Sequence, residues 1–144
     1  MEILAPAGSF SALKAAVING ADAVYLGASA FSARAKAANF SEEELASAVR
    51  YCHLFNVKVY LAVNTVIKLS EYKEALSTIK YADSVGVDAF ILQDLPFIAY
   101  LHSTMPDITI HLSTQAGVHN LEGALAAEKL GVSRVTVSYT HLTL

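Results

Sequence analysis

The amide side chains of this chain lie close to the ends of predicted strands. Asn64, Gln93 and Gln115 each follow an apolar run, and His119 comes a few residues after the last of them. Functional groups of α/β proteins gather at the carboxyl ends of the strands, so these side chains should share one edge of a sheet. Amides bind polar ligands without transferring protons, so the pattern predicts ligand recognition. The alternative is that polar residues end strands because loops are solvated and helices need caps.

A long connection between two predicted elements adds two cations. Residues 28–40 span thirteen positions without a helical pattern and contain Arg34, Lys36 and Asn39. Irregular connections of about this length in compact domains are often functional. Folded over the strand ends, the cations would hold a carboxylate, a phosphate or an RNA backbone. A solvated loop with two surface charges is the alternative.

The histidines and the single cysteine show no catalytic pattern. His111 interrupts an apolar strand, where an inward imidazole would bind a ligand or act as an acid or base; a hydrogen-bonded core histidine is the alternative. Cys52 and His53 are adjacent on a predicted helix and do not face each other, so they are not a nucleophile and its base. Cys52 is interpreted as a buried hydrophobe. No G-x-S-x-G or H-E-x-x-H sequence occurs, so no catalytic residue is assigned and no metal site is predicted.

Strands and helices alternate along the chain. Continuous apolar runs, typical of parallel strands covered on both faces, predict strands at 3–5, 23–26, 57–63, 89–92, 109–112 and 134–137. Five helical segments separate them. Six strands in this order predict an α/β fold, an incomplete (β/α)8 TIM-barrel-like domain. An open doubly wound sheet is the alternative, but no G-x-G-x-x-G or Walker sequence follows any strand.

Local signals mark the ends of the helices. Ser41 and Glu44 have the spacing of a capping box. The other candidate N-terminal caps are Ser9, Ser70, Asp94 and Asn120. Left-handed turns are predicted after the helices at Gly20, Asn56, Gly86 and Gly131.

Composition narrows the class of protein. The 144 residues are 54% hydrophobic and 16% charged with a net charge of −3, which indicates a globular chain. No uncharged apolar run is long enough to cross a bilayer, and the N-terminus lacks a signal-peptide pattern, so we expect a cytoplasmic protein. One cysteine excludes an internal disulfide and any cysteine-ligated metal site within these residues. The net charge of −3 excludes a broad basic surface for nucleic acid, but a local basic patch remains an alternative.

Several sequence motifs together resemble one known family. EILAPAGS (2–9), NGADAVYLG (19–27), FSARAKAANF (31–40) and HLSTQ (111–115), with Asn64-Thr65 and Gln93-Asp94 between them, resemble the N-terminal region of the peptidase U32 family, also called collagenase-like proteases. The resemblance implies a TIM-barrel-like domain and a peptidase or collagenase of unassigned catalytic type. Family members are also associated with hydroxylation of tRNA or ribosomal RNA bases and with ubiquinone synthesis. Several carry an iron–sulfur cluster on cysteines downstream of this region.

The leading hypothesis is therefore a U32 peptidase fragment, with residues 1–137 as part of the barrel domain. RNA-base hydroxylation, ubiquinone synthesis and a non-catalytic module that binds RNA or a small anion are the alternatives. Residues 138–144 depart from the family pattern and are interpreted as a non-native tail. With six strands of eight, the chain should be inactive alone and self-associate through open sheet edges. The residues predicted to bind a peptide, an RNA or an anionic ligand are Arg34, Lys36, Asn39, Asn64, Gln93, His111, Gln115 and His119.

Overall fold

A computed structural model describes residues 1–33 and 40–137 of the chain. The strands are β1 (Leu4–Pro6), β2 (Ala23–Gly27), β3 (Lys58–Val63), β4 (Ala89–Leu92), β5 (Ile110–Leu112) and β6 (Arg134–Val135). The helices are α1 (Phe10–Ile18), α2 (Glu42–Leu54), α3 (Tyr72–Ser84), α4 (Leu95–Thr104) and α5 (Leu121–Lys129). Two short 3-10 segments cover Leu69–Glu71 and Thr114–Ala116. The six predicted strands are confirmed with small shifts at their ends.

The sheet has the topology of part of a barrel. Its six strands are all parallel and lie side by side in chain order from β1 to β6. A doubly wound sheet would reverse its strand order at a switch point, and this sheet does not. The predicted TIM-barrel-like architecture is therefore confirmed as a six-stranded half-barrel.

The two faces of the sheet are packed differently. Side chains such as Leu26, Leu61 and Leu92 pack against the helices in a large buried core. The opposite, inner face holds a smaller cluster around Ala23, Tyr60 and Ala89. Over β2 to β4 both faces are largely apolar, which explains why these strands read as continuous hydrophobic runs instead of alternating ones.

Most of the predicted caps are present. Ser41 and Glu44 form the capping box of α2, with Glu44 N–H donating to Ser41 Oγ and Ser41 N–H donating to Glu44 Oε2. Ser9, Asp94 and Asn120 cap α1, α4 and α5. The prediction for Ser70 is wrong: it lies inside the Leu69–Glu71 3-10 segment, whose start is held by Lys68 N–H donating to Glu71 Oε2. The chain enters α3 directly from that segment, so no side-chain cap is needed there.

All four predicted turn residues have positive φ angles: Gly20, Asn56, Gly86 and Gly131. At Gly131 the φ of +83° comes with a crowded neighbourhood, because a Cβ there would overlap the ring of His102. At Gly20 the φ is +85°, and a Cβ would meet nothing within 4 Å.

We expect Gly131→Ala to destabilise the protein more than Gly20→Ala. An L-residue in the left-handed region costs about 1–2 kcal/mol, which both variants share. The exposed His102 ring has to move away from the new Cβ, which adds about 1 kcal/mol only at Gly131. Urea unfolding of the two variants measures the difference, and adding His102→Ala to Gly131→Ala should remove the extra loss. Equal losses in the two glycine variants would contradict the steric explanation.

The outermost strands, β1 and β6, each pair with one neighbour among the described residues. A strand edge with unpaired N–H and C=O groups is a template for pairing with another chain. We therefore expect the 144-residue chain to associate as its concentration rises, which sedimentation velocity will detect. Ile3 and Val137 are exposed beside these edges. Ile3→Lys with Val137→Lys should suppress association by charge repulsion, and association unchanged by both lysines would show that another surface is used.

No helix in the parts of the chain that the structure describes is long and apolar enough to cross a bilayer.

Candidate functional site

A cavity of about 500 Å³ opens at the carboxyl ends of the strands. Its size lies within the usual range of small-molecule sites. Gly27, Ala62 and Ile91 occupy one row of the sheet register on its floor, and the small side chains at the first two positions leave the space open. The polar side chains around this floor are Ser32, Asn64, Ser113, Thr114, Gln115 and Thr136.

Asn64 is oriented by the loop that it holds. Its Oδ1 accepts a hydrogen bond from Ala33 N–H at 3.1 Å, which leaves its NH₂ group to donate to a ligand. The neighbouring Thr65 hydroxyl donates to Phe31 C=O at 3.0 Å. Phe31 has a φ of +63°, an uncommon conformation for a side-chain-bearing residue that these contacts hold in place. The pair Asn64 and Thr65 thus fixes the loop and presents a donor to the cavity.

Ser113 has a similar arrangement at the end of β5. Its Oγ accepts from Gln115 N–H at 3.3 Å and opens the Thr114–Ala116 3-10 turn. The hydroxyl hydrogen can then donate to a ligand. This turn places Thr114 and Gln115 beside Ser113 on the cavity wall.

The predicted site residues are only partly brought together. Asn64 and Gln115 line the cavity. Gln93 is half-buried and is not part of the lining, and His119 is exposed with its Nδ1 3.0 Å from Gly117 C=O. Arg34, Lys36 and Asn39 fall within residues 34–39, outside the described residues. A ligand-binding role for each of these residues stays a prediction.

His111 lies on the inner face of the sheet, beside Ile91 in the register. It is buried, with its ring edge-on to Tyr60 at 4.8 Å between ring centres. Burial, reinforced by the nearby cations Arg134 and Lys58, lowers the pKa of His111 from 6.5 to about 4. The imidazole is therefore neutral at pH 7.

A polar network lies on the inner face at the amino ends of β1 and β6. Arg134 Nη1 donates to Glu2 Oε1 at 2.6 Å, and the Tyr60 hydroxyl donates to Glu2 Oε2 at 3.0 Å. The guanidinium also lies over the Tyr60 ring at 5.7 Å. The hydrogen bond from Arg134 lowers the pKa of Glu2, while burial and the bond to Glu2 raise the pKa of Tyr60.

Sequence reasoning missed several cavity residues. Ser113 and Thr114 were visible in the HLSTQ motif but were not among the predicted ligand-binding residues. Ser32 precedes the two predicted cations, and Thr136 lies in the predicted strand 134–137. The alternation of side chains along a strand could have identified Ser113. It follows β5 by one residue and lies two residues after His111, so it faces the same side of the sheet.

The described residues do not fit an iron–sulfur cluster. Cys52 is completely buried in α2, and burial raises the pKa of its thiol to about 11. A cluster ligand must be a thiolate, so this cysteine does not serve. Residues 1–33 and 40–137 also contain no group of three or more His, Cys, Asp or Glu side chains placed to hold a metal ion.

The chain is similar to known proteins in sequence and in fold. The family model described as "Peptidase family U32" matches residues 8–140. An uncharacterized protease of Methanocaldococcus jannaschii is 38% identical over 83% of this chain and 29% of its own length. A tRNA hydroxylation protein P of Helicobacter pylori is 39% identical over 94% of this chain and 32% of its own length. The chain thus spans about three tenths of the length of these curated relatives.

A solved structure supports the fold. The structure of the U32 peptidase Mk0906 superposes with a TM-score of 0.77 at 19% identity, covering 95% of this chain and 58% of that one. The half-barrel, its cavity at the carboxyl edge and the family match over residues 8–140 lead to one conclusion. The chain belongs to the peptidase U32 family.

Proposed function

We propose that this chain forms the base-recognition part of a barrel that acts in the hydroxylation of RNA. The observation that carries the proposal is the chemistry of the cavity. Its described lining contains amides and hydroxyls but no carboxylate, imidazole, thiol or cationic side chain. Such a surface can recognise a polar, uncharged ring but offers little for proton transfer.

A flipped nucleobase matches this cavity. Enzymes that act on bases read the hydrogen-bonding edge of the extruded base and stack its face against an aromatic or apolar side chain. The Asn64 amide and the Ser113 hydroxyl would donate to carbonyl oxygens of the base. The ring of Tyr25 and the side chain of Ile91 would supply the apolar contacts.

The relatives support RNA as the substrate class. The 39% identity to the H. pylori tRNA hydroxylation protein extends over nearly all of this chain. The net charge of −3 does not provide a wide basic surface for the RNA backbone on this part of the protein, so recognition would concentrate on the base. Arg34 and Lys36 would contact the phosphate next to it. With an RNA substrate, the protein would act in the cytoplasm.

Peptide hydrolysis is the second candidate, and the 38% identity to the M. jannaschii protease favours it. The described lining offers serine and threonine hydroxyls as nucleophiles, but it contains no basic side chain to activate one. A peptidase would need its base from outside the described residues. An iron–sulfur cluster, which base recognition does not need, would likewise have to be held by cysteines outside this chain.

Ligand binding tests the proposal directly. Isothermal titration of the 144-residue chain with the four ribonucleosides and with blocked dipeptides should show binding of at least one nucleoside and none of the peptides. Asn64→Ala and Gln115→Ala should each weaken nucleoside binding about tenfold, the loss of one hydrogen bond worth about 1.4 kcal/mol. Gln93→Ala is the matched control, because Gln93 is also an amide at a strand end but lies off the cavity.

A chimera tests the activity. This chain would replace the aligned segment of the H. pylori tRNA hydroxylation protein in cells that lack the native gene. Mass spectrometry of tRNA nucleosides should then detect the mass of one added oxygen, and Gln115→Ala in the chimera should reduce that signal. Binding of dipeptides in place of nucleosides, or cleavage of casein by a chimera built on the M. jannaschii protease, would favour the peptidase.

A further inference from the structure

The two outermost strands of the described half-barrel are joined by side chains across its interior. These strands are β1 and β6, and among the described residues no ladder of backbone hydrogen bonds connects them. Glu2 precedes β1 by two residues and Arg134 begins β6. The two terminal guanidinium nitrogens of Arg134, Nη1 and Nη2, contact the two carboxylate oxygens of Glu2 at 2.6 Å and 3.4 Å.

A third strand anchors this contact. Tyr60, near the middle of β3, donates its hydroxyl to Glu2 Oε2 and places its ring under the Arg134 guanidinium. Tyr60 is almost completely buried, so its position is fixed by the sheet. The ion pair is therefore held on a rigid support and does not merely connect two mobile surface chains.

We propose that Glu2, Arg134 and Tyr60 form an edge clasp that sets the distance between β1 and β6 and thereby the width of the cavity. Leu4 and Pro6 of β1 line one wall of the cavity, and Thr136, just after β6, lines the other. Any change in the spacing of the two edges moves these walls relative to each other. The three residues act as positioning residues, since they touch the walls' strands and not the cavity itself.

The size of the effect on global stability should be small. Both side chains of the ion pair are partly exposed, 27% for Glu2 and 42% for Arg134, and ion pairs with such exposure contribute little to unfolding free energy. The large apolar core on the helical face holds the sheet together without them. A geometric role can thus be separated from a stabilising role by experiment.

Distance measurements test the clasp without any ligand. In a sample diluted with unlabelled chain, so that association between chains does not contribute, nitroxide labels on Ile3→Cys and Val137→Cys report the spacing of the two edges. Both positions are exposed, and Cys52 is fully buried and escapes labelling. Glu2→Gln should lengthen and broaden the distance distribution measured by double electron–electron resonance. Labels on Arg50→Cys and Lys80→Cys, exposed on α2 and α3, should show no change. Glu122→Gln, which removes an exposed carboxylate from α5, is the matched control for charge.

Two further variants make the result specific. Tyr60→Phe keeps the ring but removes the hydroxyl donor, and it should widen the edge distance less than Glu2→Gln does. It also serves as the test of the clasp if Glu2→Gln fails to fold. Glu2→Arg combined with Arg134→Glu restores opposite charges and should restore the narrow distribution. An unchanged edge distance in folded Glu2→Gln and Tyr60→Phe, with circular dichroism like that of the wild type, would overturn the clasp.

A measurement of nucleoside affinity in these variants rests on the proposed function, whereas the measurement of the edge distance does not. Nucleoside affinity should fall about tenfold in Glu2→Gln while the urea midpoint changes little, and the charge-exchanged variant should recover it. If the wild type binds no nucleoside but the edges still widen in Glu2→Gln, the clasp stands and the proposed function fails. If affinity falls while the edge distance stays constant, the clasp is wrong.

Discussion

Lowering the pH from 7 to 4 should reduce the free energy of unfolding by about 3 kcal/mol through His111 alone. The pKa of this histidine is about 4 in the folded protein, against 6.5 for an ordinary histidine. Between these two values the unfolded chain binds a proton that the folded chain does not. The contribution of neutral His111 to the free energy of unfolding is therefore fully present above about pH 6.5 and is lost as the pH falls toward 4.

The structural cause of this loss is local. His111 is buried on the inner face against the Tyr60 ring, where a charged imidazole would lose its hydration. The charged groups that act on it are Arg134 and Lys58, which oppose protonation, and Glu2, which favours it. The cations and the burial outweigh the single carboxylate.

Urea unfolding at half-unit steps between pH 7 and 4 measures the effect. His111→Gln removes the titrating group and should flatten the stability profile above pH 4.5. The lowered pKa of Glu2 acts in a different window: its contribution is present above the ordinary carboxyl pKa of 4.5 and disappears below it. A profile of equal slope in wild type and His111→Gln above pH 4.5 would show that His111 is accessible to protons in the folded state.

Asp94→Ala should destabilise the protein by about 3 kcal/mol, because one carboxylate holds two segments together. Asp94 Oδ1 accepts from Phe97 N–H at 2.8 Å and caps α4. Asp94 Oδ2 accepts from Ile67 N–H at 3.1 Å in the connection after β3. Asp94 is only 9% exposed, so both N–H groups would lose a charged partner at a site with little access to water.

Asn120→Ala provides the matched control for this prediction. Asn120 caps α5 through one hydrogen bond, from Gly123 N–H to Oδ1 at 2.9 Å, and is exposed. Its loss should cost about 1 kcal/mol, a typical value for a cap. Denaturant unfolding of both variants gives the comparison. Similar losses would mean that the Ile67 contact contributes nothing and that Asp94 acts only as a cap.

The same residue shows how far sequence reasoning reaches. The sequence predicts Asp94 as an N-terminal cap, because capping depends on residues within one helical turn. The bond to Ile67 comes from a different βα unit and has no signature in the spacing. Ser70 failed as a cap for a related reason, since the 3-10 segment before α3 satisfies the chain without it.

The cavity shows the same difference between what neighbouring residues determine and what contacts between distant residues determine. Asn64 and Gln115 were identified from their positions at strand ends, and both line the cavity. Gln93 has the same kind of position but lies outside the lining. The difference arises because the cavity forms where the inward residues are small, at Gly27 and Ala62, and that row exists only once the strands are in register.

By itself the sequence determined the order of the strands and helices, four left-handed turns and most of the caps. Each depends on the backbone preferences of a few consecutive residues. Only the tertiary structure decided which polar side chains meet around the cavity, that His111 is held neutral, and that Glu2 contacts Arg134 across 132 positions of sequence. Those contacts depend on the strand register and on the curvature of the whole sheet, which no local pattern encodes.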